Sequence, residues 1–249
     1  MIVPPDLTAL DRLALAWFLV AWLGYGTAIG LVAGRGIATR MHQVRRVWMH
    51  TMLARENRIT DAALIGHTVH SATFFASTTM VALAAMLGTL GAFDRSYAAL
   101  DTLDFTVRTS RALAEMKVLL LLAVFAHTFL KLSWALRQLN YCLALIGAAP
   151  IKPAPAERDA IASELAAVLS LAIGSFNAGV RGYMFALAAL SWLLGPAAFL
   201  VVTTGIVAML TWRQFGSATA GAIRRSHHAL VVPAGPSPAP IVTGSPAYR

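Results

Sequence analysis

Long charge-free apolar runs alternate with short polar stretches along this chain, and that pattern predicts membrane-spanning helices. The first run covers about 13–33, between Arg12 and Arg35. The second, about 63–91, falls within 32 residues free of formal charge between Asp61 and Asp94. A predominantly apolar helix of ~20 residues crosses the ~30 Å hydrocarbon core of a bilayer, so both are long enough to span. A third run starts near Ala112 and stays hydrophobic to Ala149, interrupted by Lys117, Lys131 and Arg137. As one helix it would measure ~57 Å, too long for a single crossing. A span over about 113–136 that continues into the cytoplasm, or bends at the surface, accounts for it. Pro150, Pro153 and Pro155 end it by withholding amide donors. The last span is expected at about 183–212, kinked at Gly195-Pro196.

Two other segments carry a helical stripe. Within 35–61, Ile37, Met41, Val44, Trp48 and Met52 recur every three or four residues, flanked by Arg35, Arg40, Arg45, Arg46, Arg55 and Arg58. Such a helix suits a membrane surface, its arginines drawn to anionic lipid headgroups, or it packs on its own bundle as a connector. Within 157–180, Ile161, Leu165, Val168, Leu169, Ala172, Phe176 and Val180 share a face flanked by acids and serines. An interfacial or bundle-packed helix is expected there. The fold class is therefore all-α: one polytopic membrane helical bundle over 1–215, with about four transmembrane helices and two amphipathic cytoplasmic helices. Residues 216–249, with five prolines after Ala229, read as a disordered tail.

Composition agrees with lipid as the solvent. The chain is 58% hydrophobic and 12% charged, with a mean hydropathy of +0.67, whereas soluble domains carry about a quarter charged residues. The net charge of +9 does not point to nucleic acid, because six arginines sit between two apolar runs, as a cytoplasmic membrane loop requires. That loop sets the orientation, and four crossings then put both termini outside. Arg213, Arg224 and Arg225 argue the other way. Seventeen arginines against three lysines, with abundant alanine, suggest a bacterial source and hence its cytoplasmic (inner) membrane. Cys142 is the sole cysteine, which excludes an intrachain disulfide. Gly26, Gly30 and Gly34 form a small-residue ridge that suits close helix packing, within the bundle or in a homo-oligomer.

Ionisable groups within spans are functional suspects, because burying them in hydrocarbon is costly. His67 and His70 share a helix face; His127 and Lys131 lie on the third span. Counted from the expected inner ends, His70 falls ~10 Å deep, His127 ~13 Å and Lys131 ~8 Å, so the two sets would meet if their helices are neighbours. Three readings remain open. The cluster is a hydrogen-bonded layer fixing register, a site for an anion, proton or polar headgroup, or a b-type haem held by His127 with His67 or His70. A metal site is not expected, since no carboxylate joins the histidines at that depth. Arg137, Asn140, Asn177 and Arg181 lie near cytoplasmic helix ends, where they could bind lipid phosphates, carboxylates of Asp61 or Glu164, or helix carbonyls. No hydrolase or phosphate-loop motif occurs, so no catalytic residue is assigned.

Several stretches resemble a family of bacterial and plant integral membrane proteins catalogued as domain of unknown function 599. They are Arg45-Arg46-Val47-Trp48-Met49, Asn57-Arg58-Ile59-Thr60-Asp61, the run 71–80, the run 131–141 and the run 176–183. The resemblance implies a multi-span membrane protein and supplies no activity or ligand. The expected role is non-enzymatic: binding or passing a small polar or anionic solute, or serving as an accessory membrane subunit. The alternatives are a haem-binding electron carrier and a membrane enzyme acting on lipid or quinone.

Overall fold

The computed structural model describes residues 4, 6–32, 36–93 and 109–231, and among these every regular element is helical. In chain order they are α1 (Ala9–Val32), α2 (Ile37–Leu53), α3 (Ile59–Gly91), α4 (Arg111–Ala148), α5 (Pro155–Ser191), α6 (Pro196–Phe215) and α7 (Ala218–Val231). A 3-10 turn, Trp192–Leu194, extends α5. Five helices, those beginning at Ala9, Ile59, Arg111, Pro155 and Pro196, are long and apolar enough to cross a membrane. This is the build of a multi-pass membrane protein.

The count differs from the expected four because two boundaries fall elsewhere. Segment 157–180 is not a separate interfacial helix but the first part of α5, which runs on without a break to Ser191. Its acids, Glu157, Asp159 and Glu164, occupy the first turns, so they signal a helix end rather than a surface-lying helix. The Gly195-Pro196 pair does not kink one span; it reverses the chain between two. Gly195 has φ 119°, a left-handed conformation that only glycine adopts cheaply, and Pro196 starts α6 at a position where no amide donor is needed. The reversal shows in the contacts. Trp192 stacks on Phe199 across the turn, with ring centroids 4.9 Å apart. Trp17 Nε1 of α1 donates to Thr204 of α6, and Tyr25 meets Thr211, so α1 and α6 run in the same direction. Phe18 touches Phe185 and Asp11 meets Trp192, so α5 opposes both.

α4 and α5 form the spine. They approach closely where Gly179 faces Leu132 and Gly182 faces Thr128; a Cβ on Gly179 would stand 2.6 Å from Leu132. At ~57 and ~55 Å, both outrun a ~30 Å hydrocarbon core, which the 20 residues of α6 match. Two cores sit along this spine. One joins Phe18, Val124, Phe185, Trp192 and Phe199 from α1, α4, α5, the turn and α6. The other joins Met49, Met52, Ile65, Leu139, Cys142 and Leu165 from α2, α3, α4 and α5.

The second core lies at the arginine-rich end, where polar groups tie the elements together. Asp61 is fully buried and accepts from Trp48 Nε1 at 2.7 Å and from Arg55 at 2.9 Å. Arg58 donates to the carbonyls of Ile146, Ala149 and Pro150, closing the C-terminus of α4. α7 lies against α2, where His227 and Gln43 are hydrogen-bonded. Residues 218–231 are thus helical where a disordered tail was expected; residues 232–249 lie outside the described residues. At the opposite end, Ser110 donates to Asp6, which holds that carboxyl below its ordinary range. Buried Asp11 there accepts from Thr8 and from Trp192 Nε1. Asp6 and α7 thus lie at opposite ends of the bundle, joined by five long apolar helices.

The glycine ridge divides. Gly26 lies beside Arg181, Gly30 faces open space, and Gly34 is outside the described residues.

Candidate functional site: a cationic groove between α1, α4 and α5

α1 packs on α5 through Phe18 near the Asp6 end, but farther along it presents small residues, Gly24, Gly26 and Thr27. A groove of about 230 Å³ opens there. α1 contributes Trp22, Leu23, Gly26 and Thr27; α4 contributes His127 and Lys131, one turn apart; α5 contributes Ala178, Arg181, Gly182 and Phe185. His127 packs edge-on against the Trp22 ring, with centroids 5.3 Å apart. Arg181 lies over the ring of Tyr25, 5.7 Å from its centroid. A lysine and an arginine therefore share one groove, with a histidine beside them and no carboxylate in the lining. Neither Lys131 nor Arg181 forms an ion pair among the described residues.

Of the eight residues singled out by sequence, the structure brings together His127, Lys131 and Arg181. Arg137, Asn140 and Asn177 are exposed outside the groove. His67 and His70 are exposed on α3 and do not line it either. The cause is register. Tyr183 Oη contacts Thr79 and the Phe75 carbonyl, while Thr128 abuts Gly182, so the level of His127 on α4 corresponds to Thr79 on α3. His70 is nine residues before Thr79, ~14 Å along the axis. The expected alignment placed the inner boundary at the start of α3, whereas the first turns of α3 belong to the second core with Asp61 and Ile65. His67 and His70 therefore lie at a different level of the bundle from His127. No group of three or more His, Cys, Asp or Glu side chains able to hold a metal occurs among the described residues.

Sequence reasoning missed Trp22 and Thr27, which carry no signal by themselves and become lining only through the fold. It also passed over Lys117, which is buried near Asp11 and Trp192 at the opposite end, its ammonium 5.9 Å from the indole centroid. Its signal was present, a cation inside an apolar run.

No curated protein and no solved structure matches this chain. A family model described as "Protein of unknown function, DUF599" matches residues 13–219, a stretch that takes in the whole groove and both cores. The chain belongs to that family.

Proposed function

We propose that this protein serves a non-enzymatic membrane role and that its α1/α4/α5 groove binds a small anionic or polar group at the cytoplasmic face. The observation that carries the reading is the convergence of Lys131 and Arg181, with His127, on a groove without a carboxylate. Uncompensated cations lining one groove repel each other, and an anion between them removes that penalty while gaining charge-assisted hydrogen bonds.

Charge asymmetry supports the orientation. Arg40, Arg45, Arg46, Arg55, Arg58, Arg137, Lys152, Arg158, Arg213, Arg224 and Arg225 gather at one end and outnumber its acids, Glu56, Asp61, Glu157, Asp159 and Glu164, whereas Asp6, Asp11 and Glu115 offset Arg12, Arg111 and Lys117 at the other. An excess of arginine marks the cytoplasmic side. With five traverses the tail arginines fall on the same side as the basic segment around α2, and the conflict seen under four spans disappears. The N-terminus then lies outside and the C-terminus inside.

Thermal unfolding in mild detergent tests the site. A panel of soluble anions and anionic lipids should include one that raises the midpoint by about 5 °C at saturating concentration. The double variant Lys131→Gln/Arg181→Gln should lose that response. If no anion stabilises the wild type, the reading is wrong.

A further inference from the structure

We infer that the anion received by this groove is the phosphate of a membrane phospholipid, with its acyl chains lying toward the aromatic half of the groove. The inference rests on the reading of the groove as an anion site and specifies its ligand.

The lining is sorted along the helix axes. Toward the Asp6 end lie Trp22, Leu23 and Phe185, with His127 edge-on to the indole; toward the arginine-rich end lie Gly26, Thr27, Lys131 and Arg181. A phospholipid of the leaflet at the arginine-rich end has the same polarity, apolar chains pointing into the bilayer and phosphate at its edge. A free anion would find only His127 in the aromatic half and would lose hydration against the rings and Leu23.

The level of the groove fits as well. Arg181 lies over Tyr25, and Tyr25 meets Thr211 in the last turns of α6. Because α6 has the length of one hydrocarbon core, its last turns mark the bilayer edge, where phosphates lie. Arg213 follows two residues later.

Access is lateral. Leu23 is 59% exposed, and Gly26 and Thr27 are exposed, so the α1 flank is open to lipid. Gly26 bears no side chain, and a Cβ there would stand 3.6 Å from Arg181 Nη2, so the path to the guanidinium passes over bare backbone. A volume of about 230 Å³ admits a phosphate with its glycerol but not two acyl chains, which stay in the bilayer.

Native mass spectrometry of the detergent-purified full chain tests this, with dioleoylphosphatidylglycerol, dioleoylphosphatidylcholine or inorganic phosphate as the added probe. Phosphatidylglycerol should be retained one-to-one, about tenfold more strongly than phosphatidylcholine, since two cations favour net negative charge. Lys131→Gln/Arg181→Gln should lower retention about tenfold. Gly26→Leu, which keeps both cations and fills the open flank, should lower it equally, and unfolding midpoints measured without lipid should stay near wild type for both variants, which tells loss of binding from loss of folding. Retention unchanged in both variants would overturn the inference, as would equal retention of the two lipids. Charge-dependent stabilisation by inorganic phosphate without lipid retention would overturn the lipid assignment and leave the anion site standing. Absence of charge-dependent binding with every probe would remove both.

Discussion

Asp61 shows what a single side chain does here and how much of it sequence can tell. As an acid at the entrance to an apolar run it is a visible candidate partner for nearby cations. The cation it takes is Arg55, six residues away, and Trp48 adds a second donor. Arg55 is about half exposed, so the charge attraction itself is screened; the hydrogen bonds to a fully buried acceptor contribute more. Asp61→Ala should cost about 1–3 kcal/mol, measured as a lower unfolding midpoint, and a change within error would show that the pair is ornamental. The histidines teach the opposite lesson. A spacing of three places His67 and His70 on one face of their own helix, but it says nothing about which level of another helix that face meets. Offset between neighbours is fixed by packing at a distance, such as Tyr183 against Thr79, and the sequence pattern carries no mark of it.

At the scale of elements, the stripe of 157–180 is legible and its helix is real, but the end of that helix is not. Hydrophobicity is continuous across 183–212, so only backbone geometry at Gly195 reveals a reversal rather than a bend. The run 112–149 exceeds one crossing, as its length requires, and α4 does so as one unbroken helix from Arg111 to Ala148. What holds α4 to α5 in the middle of the spine is close approach at glycines, the means by which helices associate in lipid, where burial of apolar surface gives little drive. Glycines of the same helix therefore differ in kind. Gly182→Ala drives a methyl into Thr128 and should destabilise by about 1–3 kcal/mol. Gly174→Ala meets nothing within 4 Å and should stabilise by about 0.5–1 kcal/mol through helix propensity. Unfolding midpoints that shift in the same direction for both would refute this account of the α4/α5 contact.

For the whole molecule, the membrane character and the helical class were carried by composition and run length alone, whereas the number of traverses turned on the continuity of α5 and the reversal at Gly195. That number decides which ends share a face. On a Cys142→Ala background, Glu115→Cys and Arg225→Cys should react with a membrane-impermeant maleimide from opposite sides of sealed vesicles; labelling of both from one side would contradict five crossings. The length of α4 has a mechanical corollary. The helix is unbroken from Arg111 to Ala148, and Lys131 sits partway along it, so the stretch beyond the groove is a lever arm of about 26 Å. A tilt of about 5° pivoting at the groove moves the far tip by about 2 Å. Arg58 grips that tip through three carbonyls, so the displacement passes directly to the root of α3 and to the Asp61 knot beside it. A ligand taken up in the groove would thereby be geared to the shape of the surface at the arginine-rich end.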